Sequence, residues 1–356
     1  MSIAPVHLAA AAPPWGTLIG GGAYQQNGQT HYLLSVFDTA RRQPAGIPTS
    51  FLPHGIAIDP RCTTRVLVFE KIGPGACEVD LASGRQMQAI APAPGHHFYG
   101  HGAFSADGGR VFATETALDG LSGAISVRDG DSLDYLESFP THGHKPHDCL
   151  LIDDGKVLVV ANAGSGRFGE AASVCYVEVD TGRLLERMTL DTLEFNAGHL
   201  AIAADGGLAL VSAPRDGLDA SHSGGVSLRR AGEAMHAVSP GAAIPRSLQG
   251  ETLSVAIDPD GRYAISCTPD ADLVCIWDMH SQALVKTLSL LRPRGVTLTA
   301  DGQHFEITYG NNAAVVALSV DGLSLVGRSY CENSFITGSH VWNWERECQK
   351  IAAGRA

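Results

Sequence analysis

A short pattern recurs along the chain: a polar residue, a small apolar run, then a turn rich in Asp and Gly. It reads HGIAIDP from His54, HGAFSADG from His101, HDCLLIDDG from His147 and HLAIAADG from His199. LSVAIDPDG from Leu253, RGVTLTADG from Arg294 and a last copy, HVWNWERE from His340, complete the series. The seven starts, at residues 54, 101, 147, 199, 253, 294 and 340, lie 41 to 54 residues apart, about 48 on average. Nothing else in the sequence limits the fold so tightly. A unit of roughly 40–50 residues holds four short strands but cannot bury a core alone, and such units arranged radially make a β-propeller.

Each unit fits that plan. After the recurring motif (strand A) come apolar runs suited to a second strand, such as RVLVFE at 65–70, RVFATE at 110–115 and KVLVVAN at 156–162. Third and fourth runs follow, separated by Asp and Gly turns, for example CYVEVDTG and RLLERMTL. The two ends explain each other. Three strand-like segments precede His54 without a strand A, and HVWNWE is a strand A without a blade. The C-terminal strand is therefore expected to complete the N-terminal blade, which removes two sheet edges at once. The fold class is all-β, a seven-bladed propeller over residues 15–346, with an N-terminal extension at 1–14 and a C-terminal tail at 347–356.

Strand A lines the central channel, so its first residue sits at one mouth near the axis. Five of the seven first residues are histidine: His54, His101, His147, His199 and His340. The chain has 15 histidines in 356 residues, so chance does not account for five of seven at one position. Neutral imidazole is the usual nitrogen ligand for Zn, Cu, Fe and Ni, and the ring is read as a site for one or two ions, copper or iron. Glu70, Glu115 and Asn162 close their B strands at the same mouth and could ligate a harder ion or accept the second ring N–H of a ligand histidine. His96 and His97, and His142 and His144, are expected in the connections leading to strand A; they fit extra ligands and solvated loop residues equally. Cys149 lies one step deeper and fits the channel or the core. Arg294, the single cation in the ring, fits an anionic substrate or an ion pair. The remaining histidines fall at termini, turns and strand ends.

Composition narrows the partners. With 25 Lys and Arg against 37 Asp and Glu, the formal charge is −12, which argues against nucleic acid. No run of eighteen apolar residues is present, so no membrane insertion is expected. The start, MSIAPVHLAAAAPPWG, has no basic n-region, so it does not read as an intact signal peptide. The eight cysteines form no CxxC pair; Cys267 and Cys275 could face each other across a hairpin.

The stretches FYGHGAFSADGGRVFATET, HGHKPHDCLLIDDGKVLVVANAG and GHLAIAADG resemble a family of bacterial periplasmic propellers labelled a domain of unknown function. The resemblance runs from about Trp15 to Trp344. Members of that family often carry a twin-arginine export signal and are encoded beside imelysin-like and dihaem-peroxidase-like proteins. The resemblance implies a periplasmic location and metal-uptake partners. In architecture the chain is also similar to the propellers of nitrous oxide reductase and thiocyanate dehydrogenase, which gather histidines at a channel mouth around copper. Here Leu253 and Arg294 interrupt the ring. The expected function is metal acquisition or metal-dependent oxidation–reduction of a small substrate. The alternatives are a lactonase-like hydrolase, whose site would use carboxylates near the axis, and a propeller that docks a protein partner on its mouth.

Overall fold

A computed structural model describes residues 15–166, 169–190, 192–219, 221–238, 248–327 and 331–354. The extension at 1–14, with His7, lies outside the described residues. Among those residues the strands form seven antiparallel sheets around one axis, six of four strands and one of three. The inner strands are Pro53–Ile58, His96–Phe104, Pro146–Ile152, Leu200–Ile202, Ser254–Ile257, Val296–Leu298 and Trp342–Asn343. The last pairs with the N-terminal strand Thr17–Gln26 in the register Leu18↔Asn343 and Ile19↔Trp342, so the first blade is closed by the chain's end as expected.

The core lies between neighbouring blades. Each second strand is packed on both faces, which is why its sequence is a continuous apolar run rather than an alternating one. Val66, Leu67, Val68 and Phe69 are all fully buried. Trp277 is fully buried between two blades, and its indole N–H donates to Ser266 Oγ at 3.0 Å, so burial leaves no polar atom unpaired. The outer strands are the sheet edges and carry polar side chains toward water, as in the exposed Arg85–Ala89.

The segment expected as a tail belongs to a helix, α1 (Trp344–Ala352), which the all-β reading missed. Asn343 caps it, accepting from Arg346 N at 3.1 Å. Glu345 in its first turn accepts from Thr17 N at 2.5 Å and Thr17 Oγ1 at 2.8 Å. Helix α1 thus fastens the closure. Trp342 and Trp344 pack on the apolar cluster of Ile19, Val36 and Ile56. No helix is long and apolar enough to cross a membrane among the described residues. The eight cysteines are free thiols. Cys267 and Cys275 are one residue out of register, paired with Val274 and Ser266, and both are buried as small apolar groups.

Candidate metal centre

The inner strands do not run straight to the mouth. Three of them are irregular where their histidine stands. The register shifts between Pro53 and Gly55, between Phe98 and Gly102, and between Pro146 and Asp148. Such a bulge bends the strand and re-aims the side chain, here His54, His101 and His147. The interrupted ladder is repaired at His101 by Thr114, whose hydroxyl accepts from His101 N at 3.1 Å and donates to His101 O at 3.0 Å. Crowding at the axis explains the glycines beside two of the histidines, Gly55 after His54 and Gly100 before His101. A Cβ on Gly55 would lie 2.2 Å from the Gly100 carbonyl oxygen. Gly100 itself has φ +114°, and a Cβ there would lie 2.9 Å from the His54 ring.

The five ring histidines meet. His54, His101, His147 and His199 are buried, and each offers a nitrogen within 4.8 Å of one from every other. His340 joins from the closing blade. The His199 Nε2 atom lies 3.2 Å from His54 Nε2, 2.9 Å from His147 Nε2 and 2.8 Å from His340 Nε2. The His340 ring centroid lies 4.7 Å from that of His54 and 4.9 Å from that of His101. It is outside the mutual group of four but in direct contact with three of its members.

Two outer contacts hold the rings, and one of them sets a tautomer. His199 Nδ1–H donates to the Leu253 carbonyl at 2.7 Å, so its Nε2 carries a lone pair. Leu253, the apparent gap in the histidine ring, therefore orients a ring member through its backbone. His101 Nδ1 lies 3.1 Å from Asp148 Oδ1, close enough for the carboxylate charge to act on the ring, and His101 Nε2 is buried with no hydrogen-bond partner. Asp148 is itself buried and accepts from Cys149 N at 2.8 Å and Leu200 N at 3.0 Å. One carboxylate thus ties His101 to the backbone beside His147 and His199. A carboxylate behind a histidine is the usual support of a metal ligand, because it fixes the ring and raises its basicity.

All five pKa values lie below the ordinary histidine value. Burial is the leading cause for each; at His54, His147, His199 and His340 neighbouring imidazoles add to it, whereas the Asp148 charge opposes it at His101. Burial raises the Asp148 carboxyl, opposed by His101 and the two backbone N–H groups. The cluster is therefore neutral, the form that binds metals.

Hydrogen bonding alone does not satisfy this arrangement. The His199 lone pair can accept one N–H, yet three Nε2 atoms crowd it, and His101 Nε2 has none. A cation resolves the conflict. With metal–nitrogen bonds of about 2.0–2.1 Å, nitrogens at adjacent vertices stand about 2.9 Å apart in a square or octahedral set and about 3.3 Å apart in a tetrahedron. The three contacts at His199 span that range. The cluster could hold a metal ion.

The other expected ligands stand elsewhere. Glu115 is fully buried but accepts from Arg128 Nη2 at 2.9 Å and from Ala93 N at 2.9 Å, and so serves a buried ion pair. Glu70 turns back on its own loop and accepts from Gly75 N at 2.9 Å. Asn162 donates to the Thr141 carbonyl at 3.2 Å. His96 and His97 belong to the strand His96–Phe104, paired with Ala117 and Thr116, rather than to a connection. His142 and His144 end the outer strand Tyr135–His144, and His142 Nε2–H donates to the Gly182 carbonyl at 3.0 Å. None of these four is in the group of mutually close nitrogens. Cys149 packs with Phe112 and Ile125. Arg294 Nε donates to the Gly338 carbonyl at 3.3 Å, and burial lowers its pKa. Asp148 has no role assigned by its sequence position, since strand alternation would turn it away from its neighbour's target. The HD pair at a ring position is the one signal that marks it.

The fold and this cluster define a class: a seven-bladed β-propeller with a buried histidine centre at its channel mouth. The chain belongs to the family described as "Protein of unknown function (DUF1513)", whose model matches residues 48–326. Among solved structures, the chain is similar to hydrazine synthase of Kuenenia stuttgartiensis, with a TM-score of 0.65 and 17% identity over 82% of this chain and 92% of that one. That likeness shows the propeller fold. No curated protein matches the chain.

Proposed function

We propose that the protein is a transition-metal-binding propeller, with copper as its preferred ion, that serves metal acquisition or the oxidation–reduction of a small substrate. The observation that carries this is the convergence of Nε2 atoms 2.8 to 3.2 Å from that of His199. The donor set supports copper. Iron would gain from a carboxylate, but Glu115 is committed to Arg128 and Glu70 to Gly75 N. An all-imidazole set suits copper or zinc and disfavours magnesium or calcium. The neutral ligands leave the ion's charge uncompensated and the redox-active reading open to an anionic partner. A periplasmic location and metal-uptake partners belong to the same proposal and rest on the family resemblance.

The test is element analysis of protein purified without added metal, with X-ray absorption scans across the Fe, Cu and Zn edges. One or two copper ions per chain are expected, lost in the His101→Ala, His147→Ala double variant. A protein free of transition metal, and unable to take up copper on titration, sinks the proposal. Zinc in the same site would remove its redox half.

A further inference from the structure

The histidine cluster is covered from the mouth by charged side chains. Lys71 follows the second strand of the His54 blade, and Glu251 lies in the connection that leads to Leu253. These blades are three places apart of seven, nearly opposite across the axis. Yet Lys71 Nζ lies 3.4 Å from Glu251 Oε1. The pair therefore spans the mouth above the cluster. The Lys71 charge is felt at His54, His101, His147 and His340. Glu251 and Asp270 both favour the charged form of Arg294, the cation of the histidine ring, against burial and Arg292. Among the described residues Arg294 makes no ion pair, and its Nε donates to the Gly338 carbonyl.

Glu251 thus faces Lys71 directly and acts, with Asp270, on the Arg294 charge, over a cluster of neutral imidazoles that supplies no anionic donor. Glu251 is tethered by a weak contact, since the Lys71 and Glu251 side chains are 39% and 33% exposed and such pairs are readily exchanged for solvent or ligand. A free carboxylate would fit the same cradle. It could also reach the ion below, whose charge it would compensate, and its two oxygens suit a guanidinium.

We propose that the mouth above the cluster binds a small carboxylate, which takes the place of Glu251 between Lys71 and Arg294 and completes the coordination of an ion held by the histidines. Only the coordination step rests on the metal reading given above. Glu251 acts as the internal stand-in that occupies the cradle when no ligand is bound.

Acetate is the probe, titrated by calorimetry into copper-loaded and metal-free protein. Wild type is expected to bind acetate saturably. Lys71→Gln should weaken binding at least tenfold, whereas Glu251→Gln, which removes the competing carboxylate, should tighten it at least threefold. Both side chains reach solvent, so circular dichroism should confirm intact folds. In the copper-loaded protein, acetate should also shift the visible d–d band. Absence of saturable binding in both forms, or equal affinities in the three proteins, overturns the proposal. Binding with no change in the copper spectrum overturns the coordination step. If the protein takes up no copper, the metal reading fails, and the opposed shifts in metal-free protein still decide the carboxylate site.

Discussion

Two buried polar centres stand in the blade of His101. On the inner strand, His101 points at four other imidazoles. On the next strand, Glu115 points at Arg128. In the second centre the charges are paired, although the buried Arg128 Nε has no hydrogen-bond partner. Glu115 accepts from Arg128 Nη2 and Ala93 N, both at 2.9 Å, and the Arg128 guanidinium lies 5.4 Å over the Phe98 ring. Every charge has its counter-charge, and the pair ties a connecting segment to its blade. The first centre is incomplete. Its nitrogens face one another with too few protons, and His101 Nε2 has no partner at all. Here the unpaired nitrogen stands among four other neutral imidazoles, the side chains that bind a transition metal. The comparison separates a buried polar group that serves structure from one that awaits a ligand.

The sharpest way to break this distinction is to empty each centre in turn. Glu115→Ala strands the Arg128 charge in the core, so stability should fall by about 3–5 kcal/mol while copper affinity per folded molecule stays unchanged. Urea denaturation and metal titration read the two effects. His199→Ala should do the reverse: copper affinity falls by more than about 100-fold, since the residue in contact with three others is lost, with little loss of stability in the metal-free protein. Equal stability costs in the two variants would erase the distinction.

Asp148→Asn probes the support of the cluster. The amide removes the charge beside His101 Nδ1, and its single oxygen cannot accept from Cys149 N and Leu200 N as the two carboxylate oxygens do. Copper affinity should drop by about 10–100-fold, with an altered copper EPR spectrum and an unchanged fold. A loss no different from that of a surface variant would remove Asp148 from the site.

The smallest effect is the dependence of stability on pH in the metal-free protein. Burial holds the five imidazoles neutral, with folded pKa values below the ordinary value of about 6.5. As the pH falls, the unfolded chain takes up protons first. The contribution to stability is therefore complete above about pH 6.5 and is lost as the pH drops below it toward the folded values. The slope is at most about 1.4 kcal/mol per pH unit for each histidine. Urea midpoints at pH 7.5, 6.5 and 5.5 should show it, and it should be shallower in His199→Ala but not in Glu115→Ala.

Much of this site is legible in the sequence, and the limit is physical. The repeat places His54, His101, His147, His199 and His340 at equivalent positions, and the structure brings all five into contact. The dense local pairs, His96 with His97 and His142 with His144, attract the eye more strongly but lie on strands outside the cluster. Proximity along the chain says little about proximity at an axis. Glu115 is expected to end a B strand, but the strand Arg110–Ala117 continues past it, its partner Arg128 sits on the next strand, and nothing in the local pattern announces the pairing. Helix α1 escapes a periodicity argument because it is short and follows directly on a strand.

The sequence by itself determined the ring: a period of about 48 residues, the strand order within each unit, the closure of the first blade by the last strand, and the five histidines at one mouth. These follow because a backbone repeat is written locally and copied. Only the tertiary structure decided which nitrogens meet, that the Leu253 carbonyl sets the His199 tautomer and Asp148 stands beside His101, that Glu115 and Glu70 are otherwise engaged, and that Lys71 reaches Glu251 across the mouth. Apart from the bond of Glu70 to Gly75 N, five positions on, those contacts join residues 13 to 180 positions apart. They depend on rotamers, bulges and the closing of the ring, which no local pattern encodes.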